Sequence, residues 1–126
     1  MTAYKGTVLL IDNDNNQNIS NHGVLTRQRY NVYTATAYAE ARRIIEESQP
    51  DVIVMEAILP DGDGFAFCQE IRGQTSAFVF FLTSKADRGD SIRGIRCGGD
   101  VYLTKPYHMP ELVERVNAAM RRFSGE

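Results

Sequence analysis

Short apolar runs alternate along the chain with longer stretches whose apolar positions recur every three or four residues, and the short runs end in polar side chains. Val8-Leu9-Leu10-Ile11 ends in Asp12, Val52-Ile53-Val54-Met55 in Glu56, Phe78-Val79-Phe80-Phe81-Leu82 in Thr83, and Val101-Tyr102-Leu103-Thr104 in Lys105. Alternation of this kind predicts βαβ units and hence an α/β fold with a parallel sheet. Open parallel sheets place their sites beyond the C-terminal ends of the strands. A carboxylate pair, a hydroxyl and an ammonium are therefore expected to converge on one edge.

Thr7–Ile11 reads as a strand buried on both faces. The polar segment Asp12–Asn18 leads into a helix to about Arg29, Asn-rich and carrying Gly23, which costs roughly 1 kcal/mol against alanine inside a helix. Packing through Ile19, Val24 and Leu25 is expected to hold that helix. Asn31–Ala35 reads as the second strand, and Ala37–Glu47 as a helix with Ala41, Ile44 and Ile45 on one face. Pro50-Asp51 introduces the third strand, Val52–Met55, and Leu59-Pro60-Asp61-Gly62-Asp63-Gly64 supplies turn chemistry. A helix over Phe65–Arg72 precedes the strand Phe78–Leu82. Asp90–Cys97 reads as a short helix stopped by Gly98-Gly99. Val101–Thr104 is the fifth strand, and Met109–Arg122 a final helix with Leu112, Val113, Val116, Ala119, Met120 and Phe123 apolar.

Composition narrows the function classes. The 126 residues, 43% hydrophobic and 24% charged, suit a single domain, 1–126, with a buried core. A net charge of −2 and a pI near 5.7 give no pull toward nucleic acid or an anionic membrane, so direct nucleic-acid binding by this domain is not expected. No apolar run approaches the roughly 20 residues that cross a bilayer. Cys68 and Cys97 lack metal-ligand spacing and the N-terminus lacks a signal-peptide core, which favours a cytoplasmic setting. His22 and His108 read as solvent-facing, Cys68 as a buried helix-face residue and Cys97 as a packing residue. Asp61-Gly62-Asp63-Gly64 lacks the remaining spaced ligands of a calcium loop and reads as a turn.

Four motifs in order carry a resemblance: Leu9-Leu10-Ile11-Asp12-Asn13-Asp14, Asp51–Glu56 with Leu59–Gly64, Phe81-Leu82-Thr83-Ser84-Lys85-Ala86-Asp87, and Gly98–Tyr107 with its Lys105-Pro106 step. Together they resemble the receiver domain of bacterial response regulators over essentially the whole chain. The resemblance implies a flavodoxin-like (βα)5 doubly wound sheet in the strand order 2-1-3-4-5, and a cis Lys105-Pro106 bond that aims the ammonium into the acidic site. In such receivers an acidic pair after the first strand and an aspartate after the third hold Mg²⁺, and that aspartate takes a phosphoryl group from a histidine kinase. A hard dication needs several oxygen ligands, and it neutralises charge on the transferring group.

This sequence departs from the pattern at that point. Glu56 stands at the phosphoacceptor position and Asn13 at the second acid of the pair, beside Asp12 and Asp14. Glutamate carries its carboxylate about 1.5 Å further out, and a misplacement near 1 Å already costs on the order of a hundredfold. Asn13 offers a neutral oxygen, so Mg²⁺ binding is expected to be weak or absent, with no other cofactor. Asp14 is the candidate substitute ligand, at a position that is usually peripheral in the family. Two consequences stay open. Glu56 imitates an aspartyl phosphate with one charge in place of about two, acting on the switch pair Thr83 and Tyr102, or it pairs with Lys105 and locks one conformer. Half the charge argues for the lock.

The last third most resembles receivers of winged-helix transcription factors, which dimerise through the fourth helix, fifth strand and fifth helix. Arg96, Asp100, Glu111, Arg115, Arg121 and Arg122 would rim such a homodimer face, with Val101 standing where that subfamily has an aspartate. The expected function is an atypical, phosphorylation-independent receiver and not an enzyme, acting through protein partners such as a histidine kinase or an output domain. It would be excised from a longer response regulator or stand alone. The alternatives are a Mg²⁺-dependent phosphoryl-accepting switch, with Asp12 or Asp14 compensating, and a flavodoxin-like cofactor-binding domain. The last lacks a phosphate-cradling loop, since Asp12-Asn13-Asp14 would repel a phosphate.

Overall fold

Side chains of the central strands go alternately to opposite faces of one sheet, and both faces are covered. The computed structural model describes residues 4–83, 101–104 and 108–123. The elements run β1 (Thr7–Ile11), α1 (Asn15–Arg27), β2 (Asn31–Ala35), α2 (Tyr38–Ser48), β3 (Val52–Met55), β4 (Ile58–Leu59), β5 (Gly62–Asp63), α3 (Gly64–Ile71), β6 (Phe78–Thr83), β7 (Val101–Thr104) and α4 (Met109–Phe123). The main sheet has the order β2-β1-β3-β6-β7 with every pair parallel. Counted over its own strands this is the expected 2-1-3-4-5 winding.

Leu9, Ile11, Ile53, Met55, Val79 and Phe81 meet Ala41 and Ile45 of α2 and Phe67, Cys68 and Ile71 of α3 on one face. Val8, Leu10, Val52, Val54, Phe80 and Leu82 meet Leu25 of α1 and Leu112, Val116, Ala119 and Met120 of α4 on the other. Each such side chain contributes about 1.5–3 kcal/mol when fully buried, which is why the apolar runs carry no solvent-facing alternation. Cys68 is buried and His22 and His108 are exposed, as the sequence suggests. The expected helix Asp90–Cys97, with Cys97, and the Lys105-Pro106 step lie outside the described residues.

Helix α1 corrects the sequence reading. It starts at Asn15, and Ile19 is 62% exposed, so Ile19 does not pack it. The inward face carries Asn18 and Asn21, both buried, beside Leu25. The reason lies in the backbone: where β1 ends, the Asp12 carbonyl needs a side-chain partner, and a buried unpaired carbonyl is costly. The Asn18 Nδ2 donates to the carbonyl of Asp12 (2.8 Å) and also to that of Ala35 (3.2 Å), which accepts the Asp12 N–H as well (3.1 Å). Apolar periodicity cannot report a helix whose buried face is partly amide.

The C-terminal end of α1 closes as a Schellman motif, Tyr30 N–H to Leu25 O (3.2 Å) and Arg29 N–H to Thr26 O (3.0 Å). That places Arg29 at φ 70°, a conformation that favours glycine. A Cβ on Gly23 would come no closer than 3.6 Å to a neighbour, the Arg27 guanidinium. Gly23→Ala and Arg29→Gly should therefore each stabilise the chain by roughly 0.5–1 kcal/mol, read as a raised urea midpoint at unchanged slope.

Candidate functional site

The C-terminal edge of β1, β3 and β6 gathers the residues that the sequence singles out. Ile11 pairs with Met55 and Met55 with Phe81, so Asp12, Glu56 and Leu82 stand level at the strand ends. They line a small open cleft with Asn18 and Asn21. Asp12 is buried, and its Oδ1 accepts from the Asp14 N–H at 2.9 Å. Asn13 is exposed. Asp14 is the N-cap of α1: its Oδ1 accepts from Asn16 N–H (3.0 Å) and Gln17 N–H (3.3 Å). The donors that a phosphate would use at that helix start are thus already bonded to a carboxylate.

Glu56 is half-buried, with its N–H donating to Ile11 O at 2.9 Å. Its Oε1 accepts from the N–H of the next residue, Ala57, at 3.2 Å. Its carbonyl accepts from the hydroxyl of Tyr38 at 2.7 Å. Tyr38 opens α2, is buried, and stacks on Phe67 with centroids 4.7 Å apart. Burial first, and then the charges of Asp63, Glu56, Asp61 and Asp12, push its phenol well above the ordinary value. It stays a neutral donor at any physiological pH.

The segment after Glu56 is a turn, as expected, built as a small antiparallel hairpin in which Ile58 pairs with Asp63 and Leu59 with Gly62. Its two aspartates serve as caps. Asp61 accepts from Tyr38 N–H (3.1 Å) and Ala39 N–H (3.2 Å), replacing the side-chain cap that Ala37 cannot provide for α2. Asp63 caps α3 through Phe65 N–H at 2.9 Å. The N–H of Tyr38, ahead of that of Ala39, holds the Asp61 carboxyl below its ordinary value. Outside the hairpin, Arg42 makes a two-bond pair with Glu70 (2.5 and 2.9 Å) that joins α2 to α3 and holds the Glu70 carboxyl low.

Thr83 ends β6 and Tyr102 lies in β7, where Phe81 pairs with Tyr102 and Thr83 with Thr104. The side chains of Thr83, Tyr102 and Arg122 lie outside the described residues, as do Lys105, Arg96 and Asp100. On α4, Glu111 and Arg115 form an exposed i,i+4 pair at 3.4 Å, worth at most a few tenths of a kcal/mol. Among the described residues no three His, Cys, Asp or Glu side chains converge on one point. Asn18, Asn21, Tyr38 and Asp61 build the site without having been singled out for it. Asp61 is legible in the sequence only as part of the turn motif, and the signal for the asparagines is the placement of Asn18 and Asn21 three residues apart on one helix face.

A family model described as the response regulator receiver domain matches residues 8–117, and the chain belongs to that family. It is similar to a two-component response regulator from Clostridium difficile, 30% identical with a TM-score of 0.91 over 94% of this chain and 98% of that one. The receiver domain of the Francisella response regulator 1452 is 28% identical, with a TM-score of 0.88 over 94% and 98% of the two chains. DrrB from Thermotoga maritima, an OmpR/PhoB homolog, is 26% identical with a TM-score of 0.84, and the match covers 93% of this chain and 53% of DrrB. The chain is a receiver domain of two-component signalling, and among the described residues no helix is long and apolar enough to cross a membrane.

Two outcomes test the local architecture. A Cβ on Gly64 would lie 2.7 Å from the Tyr38 hydroxyl and 3.0 Å from Ala57 backbone atoms, so Gly64→Ala should cost about 1–3 kcal/mol in denaturant unfolding. Asp61 and Glu70 titrate below their ordinary 3.8 and 4.5 in the folded chain, so the folded state binds fewer protons there than the unfolded one. Their contribution is complete above those values and is lost as the pH falls through and below them. Exchange protection at the start of α2 should fall over that range, and Asp61→Asn should flatten the dependence.

Proposed function

We propose that this receiver works by protein interaction and not by accepting a phosphoryl group. The observation that carries the reading is the state of Glu56, whose carboxylate already accepts a hydrogen bond from the N–H of Ala57. An incoming phosphoryl would meet one fixed negative charge, set a methylene further out than the family's aspartate. The donor set supports the same reading: Asp12 and Glu56 offer two carboxylates, Asn13 a neutral oxygen, and Asp14 is committed to capping α1. Such a set does not suit Mg²⁺, which demands near-octahedral oxygen geometry. Asp14 is for the same reason a poor substitute ligand, and its capped helix start speaks against an anionic cofactor.

The domain's output is an interaction with a histidine kinase, an output domain or a second copy, in a cytoplasmic setting. The chain matches about half of DrrB, which supports a receiver joined to an output module that regulates transcription. Glu111 and Arg115, exposed on α4, belong to the proposed dimer rim with Arg96, Asp100 and Arg122. Thr83 and Tyr102 are the proposed switch pair, and Lys105 the proposed partner of Glu56.

The direct test is a Mg²⁺ titration with and without beryllofluoride, followed by the amide resonances of Glu56, Thr83 and Tyr102. No response at millimolar Mg²⁺ is expected, and saturable shifts that reach Tyr102 would overturn the reading. The double variant Asn13→Asp, Glu56→Asp should gain Mg²⁺-dependent beryllofluoride binding. Colourless purified protein, without visible-range absorbance, is expected against the flavin alternative.

A further inference from the structure

The peptide that joins Glu56 to Ala57 is hydrogen-bonded at both ends by different side chains. Its carbonyl accepts from the Tyr38 hydroxyl at 2.7 Å, and its N–H donates to the Glu56 carboxylate at 3.2 Å. In a planar trans peptide the C=O and N–H point in opposite directions. Whatever holds the carbonyl toward Tyr38 therefore aims the N–H away from it, at the carboxylate. We propose that Tyr38 is a positioning residue, a latch whose hydroxyl fixes this peptide and through it the Glu56 carboxylate. The proposal deepens the reading of Glu56 as a self-bonded acid, but its geometry does not depend on whether the site takes a phosphoryl group.

Three features support the latch. The phenol is rigidly held: Tyr38 is 2% exposed, its ring stacks on Phe67, and its own N–H is bonded to Asp61. Space for the hydroxyl exists because residue 64 is glycine, whose added Cβ would lie 2.7 Å from it. The next carbonyl is fixed as well, since Ala57 O accepts from Gly64 N–H at 2.6 Å, so the connection cannot reorient as a loose loop would. A donor on the carbonyl also polarises the amide and strengthens its N–H, and an ionised acceptor makes that second bond one of the stronger kind. One hydroxyl thus links the start of α2 to the acid at the end of β3.

A hydroxyl that only satisfied a buried carbonyl would affect stability, and its loss would shift the Ala57 N–H through the polarised amide, but the Glu56 side-chain carboxylate would stay where it was. The test is NMR on the whole 126-residue chain carrying Tyr38→Phe, which keeps the ring and its stacking. The Ala57 amide proton should move upfield, its exchange should speed up by roughly two- to tenfold relative to global opening, and the Glu56 side-chain Cδ resonance should move with it, with the Phe65 and β1 amides unchanged. Phe67→Leu, which removes the ring that the phenol stacks on and adds no charge, should move the same Glu56 Cδ resonance. A Glu56 Cδ resonance that stays in place in either variant would overturn the proposal, as would amide shifts matched in size across all of α2 and α3. Should Tyr38→Phe fail to fold, the Glu56 Cδ shift in Phe67→Leu decides alone. Beryllofluoride binding by the unaltered protein would sink the phosphorylation-independent reading and leave the latch standing, so the two can fail separately.

Discussion

Two-sided burial of β1, β3 and β6 is the constraint on which the other features of this molecule depend. A strand whose odd and even side chains both enter apolar cores needs helices on both faces, and only crossover connections deliver them to parallel strands. The consequence at the ends of the strands is as important as the core itself. There the ladder stops, and carbonyl and N–H groups near the apolar interior must find side-chain partners or remain unpaired at a cost of about 1–3 kcal/mol each. The functional edge is where that requirement is met.

Asn18 meets it for the end of β1, Asp14 and Asp61 for the starts of α1 and α2, Asp63 for α3, and Tyr38 for the end of β3. These groups stand next to the acids. The polar network that completes the fold is therefore continuous with the candidate site, and changes to one are felt in the other. Among the acids, Asp14 and Asp61 spend their carboxylates on backbone donors and Asp12 bonds its own loop. Glu56 is the group whose extra methylene lets it reach back to its own peptide. In this receiver the acidic edge is largely occupied by the chain itself, which is the physical basis for reading it as an interaction module.

Much of the fold was legible from the residues. Strand positions and the alternation of the two cores follow from apolar runs too continuous for a half-exposed sheet, the winding order from the resemblance of four motifs to receiver domains, and Met109–Phe123 from apolar positions at helical spacing. Helix α1 is where expected with Leu25 buried, but its inner face is not legible, and Ile19 points outward, because a polar inner face erases the periodicity on which such readings rest. The hairpin after Glu56 was legible only as a turn: two paired residues on each side are too few to leave an alternation.

By itself the sequence determined the sheet, its order, the family and the identity of the acids, because those depend on local pattern and on residue type at fixed spacing. Only the tertiary structure decided what each acid does. Asp61 caps a helix 22 and 23 residues away in the chain, and Tyr38 reaches a carbonyl 18 residues on. Such pairings join residues distant in sequence, through single hydrogen bonds whose partners are chosen by where the strands happen to end. No composition or period encodes them, since a carboxylate that caps a helix, binds a metal or folds onto its own peptide is the same residue until its neighbours are in place.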